Sequence, residues 1–247
     1  MNILILAAGY GTRLYPLTLN TPKALLPIDG KPLIAYLIEK IDRVKEVENW
    51  KRIVVVTNNK VYQQFIIWRD KLGRKDITIL NDGSNSPQDR KGVVGDIKFA
   101  IGETEGHWLI LGADNFFDWE LDNFVKFALK KVPYPTIGTY DIKERYLATQ
   151  LGVVKASKDG IIEELIEKPK EPQSSLIATC IYFFPQQSIK FLDQYLSIHK
   201  FGDMAGQYIA WLVKKLSVYS FLFKGVWLDI GTKETLMEAE RLIKETK

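Results

Sequence analysis

Short apolar runs alternate with segments of helical spacing along the first half of the chain, and this alternation constrains the fold more than any other feature. The runs are continuous rather than alternating with polar residues, as expected for strands buried on both faces of a parallel sheet. They cover residues 3–8, 52–57, 77–80, 108–111 and 136–140. Apolar residues recur at helical spacing over residues 32–44, 61–72 and 121–132. The pattern predicts an α/β fold with a doubly wound, mostly parallel sheet.

The pattern changes after about residue 140, where strands follow one another without helices between them. The tetrapeptide Ser-Lys-Asp-Gly at residues 157–160 is a hairpin-turn signal. Strands are predicted over residues 152–156, 161–167, 176–184 and 218–223, and helices over 186–196, 205–216 and 232–244. We therefore predict a small α+β lobe added to the sheet. All 247 residues are expected to form one domain, with a cleft between a half of about residues 1–140 and a half of about 141–247.

Composition excludes several classes of protein. With 46% apolar and 12% aromatic residues the chain can build a core, and a net charge of +4 is too mild to indicate a nucleic-acid partner. No apolar run approaches the roughly 20 residues of a membrane span, and the apolar N-terminus lacks the basic flank of a signal peptide. The single cysteine, Cys180, cannot form an internal disulfide and is expected to be a buried apolar residue. A cytoplasmic protein fits these features.

A glycine-containing loop follows the first predicted strand. Small residues directly after a strand let the backbone approach a ligand closely, and glycine N–H groups can turn toward phosphate oxygens. A dinucleotide fingerprint is excluded because Leu14 stands where a third small residue is needed and Pro16 lies just beyond, and the Gly-x-x-x-x-Gly-Lys loop is absent. What remains is a glycine turn with two cations, Arg13 and Lys23, on one long loop.

The loop carries a specific resemblance. Leu-Ala-Ala-Gly-x-Gly-Thr-Arg-Leu from Leu6, followed by Thr-Pro-Lys-Ala-Leu-Leu-Pro from Thr21, resembles the signature of the sugar-1-phosphate nucleotidyltransferases, above all the glucose-1-phosphate thymidylyltransferase-like proteins. The resemblance implies a Rossmann-like nucleotide-diphospho-sugar transferase fold, with the nucleotide bound in the first half and the sugar phosphate in the second. It assigns the nucleotide to Leu6, Ala7, Ala8, Gly9, Gly11, Thr12, Arg13, Lys23 and Asp114.

Two aspartates are candidate metal ligands. Asp114 follows the strand at 108–111, at the edge of a parallel sheet where ligands bind, and Asp229 stands beside a glycine turn. Carboxylate oxygens completed by phosphates are the ligands that Mg²⁺ uses. From the residues alone, both aspartates could instead have purely structural roles. Asp114 could end a strand, and Asp229 could belong to the turn before a helix capped by Thr232. The resemblance implies that both aspartates hold Mg²⁺.

The resemblance also implies a sugar-phosphate site in the second half. Glu167 would accept hydrogen bonds from sugar hydroxyls, Lys168 would hold the sugar's phosphate, Gly152 would approach the sugar ring, and Thr179 would line the pocket, with Cys180 replacing the commoner glycine. The positions matching the base-reading region are Asn81 and Gly92. Because asparagine replaces the usual glutamine, the base stays open among dTTP, UTP and CTP.

The implied reaction is attack by a sugar 1-phosphate on the α-phosphorus of a nucleoside triphosphate. Both partners are anions, so Arg13, Lys23 and Lys168 are expected to offset their charge, with Mg²⁺ on Asp114 and Asp229. No covalent intermediate is required, and neither His107 nor His199 falls in a catalytic pattern. We expect dTTP or UTP with glucose 1-phosphate. The alternatives are a cytidylyltransferase acting on another phosphorylated metabolite and a non-catalytic nucleotide-sugar-binding subunit. Oligomeric state stays open, a homo-oligomer included.

Overall fold

The computed structural model describes residues 1–44, 52–199 and 204–245. The strands in these ranges are β1 (Asn2–Leu6), β2 (Pro27–Ile28), β3 (Lys31–Pro32), β4 (Arg52–Thr57), β5 (Ile77–Asn81), β6 (Trp108–Gly112), β7 (Asn115–Phe117), β8 (Thr136–Asp141), β9 (Gly152–Ala156), β10 (Ile162–Glu167), β11 (Leu176–Phe184), β12 (Tyr219–Phe223) and β13 (Trp227–Asp229). The helices are α1 (Leu33–Asp42), α2 (Tyr62–Leu72), α3 (Gly92–Ile101), α4 (Asp122–Lys130), α5 (Lys190–Ile198), α6 (Ala205–Leu212) and α7 (Lys233–Glu245).

Four parallel strands form the part of the sheet that the continuous apolar runs predict. They lie in the order β6-β1-β4-β5, and Leu6 at the end of β1 is level with Val56 on one side and Gly112 on the other. The middle residues of β1, β4 and β6 are almost entirely shielded from solvent. Since parallel strands end at one edge, the segments that follow β1, β4, β5 and β6 come together there.

The strands of the second half extend the same sheet. Strand β11 pairs antiparallel with both β6 and β8, β12 pairs parallel with β8, and β9 and β10 complete the order β10-β9-β11-β6-β1-β4-β5. The predicted hairpin turn is confirmed: Gly160 has a φ of 75° and its N–H donates to the carbonyl of Ser157 at 3.0 Å. The α+β part is therefore joined to the parallel strands of the first half through β11 and β6.

Side chains on the two faces of the sheet enter two separate cores. Ile3 and Ile5 of β1 pack with α1, α2 and α4, whereas Leu4 packs with α3, α5 and α6 on the other face. This is the two-residue alternation of a strand. Burying each such aliphatic side chain contributes about 1.5–3 kcal/mol. Covering both faces with helices confirms the doubly wound arrangement. Across the described ranges, no helix combines the length and apolarity that crossing a bilayer would take.

Two features differ from the sequence prediction. Helix α3 is not among the helices indicated by apolar spacing, because it is apolar on nearly every side and begins at Gly92, whose φ is 74°. The second is a separate ribbon in which β13 pairs antiparallel with β7. Its strands have three residues each, which is too short for an alternating pattern to stand out.

Candidate active site

The glycine-containing loop after β1 is held by hydrogen bonds to its backbone. The amide of Asn58 donates to the carbonyl of Ala8 at 2.9 Å, and the hydroxyl of Thr18 donates to the carbonyl of Gly11 at 2.7 Å. Gly11 has a φ of 61°, and a Cβ there would lie 3.1 Å from Cγ2 of Thr18. Glycine is therefore required at this turn, and hydrogen bonds from the protein's own side chains hold the loop.

A buried carboxyl pair lies behind the loop. The hydroxyl of Tyr10 donates to Oγ of Ser84 at 3.2 Å, and the N–H and hydroxyl of Ser84 donate to Oδ1 of Asp82 at 2.7 and 2.8 Å. Asp82 is hydrogen-bonded in turn to Asp96, which is 7% exposed. Burial, together with the charge of Asp82, raises the pKa of Asp96 to about 8. Asp96 is thus protonated at neutral pH, and the chain of hydrogen bonds ties the loop to the segment after β5.

Asp114 lies where the loop meets the end of β6, and a lysine of the loop reaches it. Nζ of Lys23 is 2.6 Å from Oδ2 of Asp114. Burial opposes ionisation of Asp114, but the charge and hydrogen bond of Lys23 outweigh it and lower the pKa of Asp114. The guanidinium of Arg13 lies against the backbone of Gly231, where a Cβ would be 2.8 Å from Nη2. Two cations thus converge on an ionised carboxylate.

The β7–β13 ribbon brings Asp229 to the same place. Asp229 is paired with Asn115, the residue after Asp114, and the N–H of Ile230 donates to the carbonyl of Asp114 at 2.9 Å. Nε1 of Trp227 donates to Oδ1 of Asn115 at 2.6 Å and fixes the register. Burial and the neighbouring charge of Asp114 raise the pKa of Asp229. The two aspartates lie side by side, as the metal prediction requires.

The donor set fits a hard divalent cation. Oδ1 of Asp229 is buried and has no hydrogen-bond partner among the described residues, so it is free to bind a cation. In the described part of the chain, His, Cys, Asp and Glu side chains form no group of three or more suited to a metal. A cation held by Asp114 and Asp229 would therefore take its other ligands from substrate oxygens and water, which is the usual habit of Mg²⁺.

Glu167 and Lys168 stand at the end of β10, beside this centre. Lys168 has a φ of 48°, and its N–H donates to the carbonyl of Leu151 at 3.0 Å. Gly152 is paired with Glu167, and burial raises the pKa of the Glu167 carboxyl. The hydroxyl of Thr179 donates to a carbonyl of β8 at 3.0 Å, so this hydrogen is used within the sheet.

The cysteine lies beside the site, whereas the histidines have structural surroundings. Cys180 is half-buried and borders the space beside Asp114, so the expectation of a buried apolar residue is wrong. It has a φ of 57° within an irregularity of β11, and desolvation raises the pKa of its thiol to about 12, so it is a neutral thiol rather than a nucleophile. Nδ1 of His107 accepts the N–H of Gln186 at 3.1 Å, and His199 stacks on Tyr195.

Two cavities meet at Asp114. The smaller, of about 70 Å³, lies over the glycine loop; it is lined by Leu6, Ala7, Gly9, Gly11, Lys23, Ala24, Ala113 and Asp114. The larger, of about 220 Å³, reaches toward β9, β10 and the start of α6; its polar or charged lining residues include Arg13, Asp114, Asn115, Glu167, Lys168, Thr179 and Asp229. The structure therefore brings most of the predicted residues around one shared carboxylate.

Several predicted residues lie away from these two cavities. Asn81 and Gly92 are not among their lining residues, and the amide of Asn81 is engaged: it donates to Oδ1 of Asn59 at 2.7 Å and accepts the N–H of Gly83 at 2.9 Å. Ala8 and Thr12 belong to the loop but do not line the cavities either. Their predicted contacts with a nucleotide remain predictions.

Sequence reasoning missed other residues of the site. Asn115 was recognisable as the neighbour of Asp114, but the start of α6 carries no motif, although Met204, Ala205 and Gly206 line the larger cavity. A still larger groove of about 390 Å³ lies along the β9–β10 hairpin. The lysine in its wall, Lys155, pairs with Glu163 at 3.0 Å, so the groove lacks the convergent cations of the site at Asp114.

Solved structures share the fold closely. A Bacillus anthracis structure described as a putative glucose-1-phosphate thymidylyltransferase superposes with a TM-score of 0.84 at 20% identity, covering 99% of this chain and 96% of that one. A UDP-glucose pyrophosphorylase complexed with UDP-glucose gives a TM-score of 0.83 at 19% identity, covering 100% and 99%. At such identities the likeness shows the fold.

Sequence comparisons identify the family. "Bifunctional protein GlmU" of Methanococcus aeolicus is 30% identical over 97% of this chain and 53% of its own length. The mannose-1-phosphate guanylyltransferase catalytic subunit beta of Drosophila pseudoobscura pseudoobscura is 28% identical over 92% and 58%. The chain thus spans little more than half the length of these relatives. Residues 2–246 match the nucleotidyl transferase family, and with the cations and carboxylates gathered at Asp114 this chain belongs to that family.

Proposed function

We propose that this chain transfers a nucleotidyl group from a nucleoside triphosphate to a sugar 1-phosphate and releases pyrophosphate. The observation that carries the proposal is the position of Asp114, which lines both cavities. One cavity has the glycine loop and Lys23, and the other has Glu167 and Lys168. Two anionic substrates could therefore meet over one carboxylate-bound cation.

The glycine loop suits the triphosphate. Its backbone can approach phosphate oxygens because the small residues Ala7, Gly9 and Gly11 line the cavity. Lys23 is a point charge in the wall of this cavity. Arg13 lines the larger cavity on the other side of Asp114, and its planar fork can bind two phosphate oxygens at once. These groups would neutralise the triphosphate and stabilise the departing pyrophosphate.

The other cavity suits the nucleophile. Lys168 would hold the phosphate of the sugar 1-phosphate, and Glu167 would accept hydrogen bonds from its hydroxyls. One phosphate oxygen forms a bond to the α-phosphorus while the bond to the bridging oxygen breaks, and pyrophosphate leaves with that electron pair. No base is needed, because the second pKa of a phosphomonoester is near 6 and the attacking oxygen is already ionised at neutral pH.

A divalent cation completes the chemistry. Asp114 and Asp229 would hold it, and the orphaned Oδ1 of Asp229 supports that assignment. When bound, Mg²⁺ would offset charge on the phosphates and orient them for in-line displacement. Lys23 beside Asp114 then helps to keep that carboxylate ionised and ready to bind the cation.

The resemblance in the sequence leads us to propose specific substrates. The triphosphate is dTTP or UTP, and the acceptor is glucose 1-phosphate. Two solved neighbours of the same fold are described as a thymidylyltransferase and a UDP-glucose pyrophosphorylase, so these substrates are tested first. The name of the Drosophila relative brings in GTP and mannose 1-phosphate as competitors. Asn81 lies outside the linings of both cavities, so its contact with the base remains a prediction.

The decisive experiment measures pyrophosphate release over a grid of substrates with Mg²⁺. The triphosphates are dTTP, UTP, CTP and GTP; the acceptors are glucose 1-phosphate, mannose 1-phosphate, N-acetylglucosamine 1-phosphate and phosphocholine. We expect turnover with a sugar 1-phosphate, highest with dTTP or UTP. Turnover restricted to CTP and phosphocholine would instead establish the cytidylyltransferase alternative. Tight binding of a nucleotide sugar without turnover of any pair would establish the non-catalytic subunit.

The metal assignment has its own test. Replacing both Asp114 and Asp229 by asparagine keeps their shape but removes two charges, so turnover should lose its dependence on Mg²⁺ and fall to background. Asp159→Asn, an exposed aspartate in the β9–β10 turn, is the control. Titration of Mg²⁺ against initial rate measures the effect. An unchanged midpoint in the double variant would show that the cation is held elsewhere.

A further inference from the structure

The carboxylate of Glu167 lies in a slot between two glycines from different elements. Gly152 faces it from β9, and a Cβ there would be 3.1 Å from Oε2. Gly206 faces it from the first turn of α6, and a Cβ there would overlap Oε2 outright. Helix α6 packs against β10 along this contact. The slot exists because neither glycine has a side chain.

The backbone conformation at position 206 does not require a glycine. Its φ is not in the left-handed region, so alanine could adopt the same backbone. Within a helix, glycine is about 0.5–1 kcal/mol less favourable than alanine. An added methyl would strike the carboxyl group of Glu167, which is the end of a flexible side chain. Cδ2 of Leu165 would lie 3.2 Å from it and would have to give way by only a few tenths of an ångström. A side chain at 206 would therefore move Glu167 rather than the fold.

Within the described ranges, no other contact holds the carboxylate in this direction. Among the described residues, none donates a side-chain hydrogen bond to Glu167, and the nearby charge that favours its ionised form is that of Lys168. Both side chains line the cavity of about 220 Å³, together with Met204 and Ala205 beside the slot. The packing of α6 thus sets where this hydrogen-bond acceptor points.

We propose that Gly206 is a positioning residue: by lacking a side chain, it lets α6 close on Glu167 and directs that carboxylate into the sugar subsite. The inference rests on the proposed function and adds a residue that acts only through Glu167. A group placed this way would affect sugar binding without touching the triphosphate, whose proposed cavity lies on the other side of Asp114.

The test is Gly206→Ala, assayed by steady-state kinetics with each substrate varied in turn. A displaced Glu167 loses a hydrogen bond from a sugar hydroxyl to a charged acceptor, so KM for the sugar 1-phosphate should rise about tenfold or more. KM for the triphosphate should stay within about twofold, and urea unfolding should show no loss of stability. The control is Gln207→Ala, which adds no atom to the slot because Gln207 is the next residue of α6 and is exposed.

A rescue separates positioning from general damage. Glu167→Asp shortens the side chain by one methylene, so the carboxylate leaves room for the methyl that Gly206→Ala adds. Glu167→Asp combined with Gly206→Ala should raise KM for the sugar 1-phosphate by less than the product of the two single effects. Losses that multiply, or an equal rise of KM for both substrates in Gly206→Ala, would overturn the inference. Absence of turnover by the unmodified chain with every sugar 1-phosphate would instead overturn the proposed function, and this inference with it.

Discussion

Replacing Asp96 by asparagine tests the carboxyl pair behind the glycine loop. Burial, with the charge of Asp82, raises the pKa of Asp96 to about 8, whereas an aspartate in the unfolded chain titrates near 3.9. Between about pH 4 and 8 the folded state therefore keeps a proton that the unfolded state has lost. Over that window each pH unit lowers the free energy of unfolding by about 1.4 kcal/mol, and the stabilisation present at low pH is lost as the pH rises.

Asparagine should abolish this pH dependence, because its N–H can donate to Asp82 as the carboxylic acid does and it does not titrate. Between pH 5 and 7 the wild type should lose about 3 kcal/mol more than Asp96→Asn. Lys91, the nearby cation, reduces the effect but is present in both proteins. Urea unfolding at pH 5, 6 and 7 measures it, with Asp193→Asn as control, since Asp193 is exposed and pairs with Lys98 at 2.9 Å. If the free energy of unfolding fell equally with pH in the wild type and in Asp96→Asn, the raised pKa of Asp96 would be refuted.

Two lysines on either side of Asp114 give further predictions. Lys23→Gln removes the charge that lies 2.6 Å from Asp114, so kcat should fall about 10²–10³-fold. The control is Lys40→Gln, which should leave kcat unchanged. The side chain of Lys40 is 15% exposed and that of Lys23 is 16% exposed, so the two lysines are equally buried. Lys168→Ala should lower kcat/KM for the sugar 1-phosphate by about 10–150-fold with little change in KM for the triphosphate, whereas the exposed Lys170→Ala should alter neither. Initial rates of pyrophosphate release measure both, and losses shared by the controls would contradict the assignments.

The fold of the first half of the chain can be predicted from the sequence because local patterns and tertiary structure agree there. Strand β4 was predicted with its observed bounds, since a continuous β-branched run has no competing helical reading. The glycine turn and Lys23 could be placed near Asp114 because strand ends in a parallel sheet share an edge. The expected pairing of Asp114 with Asp229 rested on resemblance, and the three-residue strands that bring them together have no periodicity to detect.

Other parts of the site had no signal in the sequence. Asp96 sits in a helix whose apolar residues surround it, and only the fold reveals that its partner is Asp82. Gly206 looks like an unremarkable small residue until α6 is packed on β10. The raised pKa of Asp96 and the contact of Gly206 with Glu167 both arise where distant elements pack together. Residue type and spacing do not predict such contacts.

The ribbon that joins β7 to β13 makes the position of Asp229 depend on parts of the chain far from it. Trp227 and Asn115 are 112 residues apart, and their contact fixes the register that brings Asp229 beside Asp114. Closing a loop of this length costs conformational entropy, which the packing of the elements between the two strands must offset. A substitution that loosens this packing can therefore separate the two aspartates without lying near either of them.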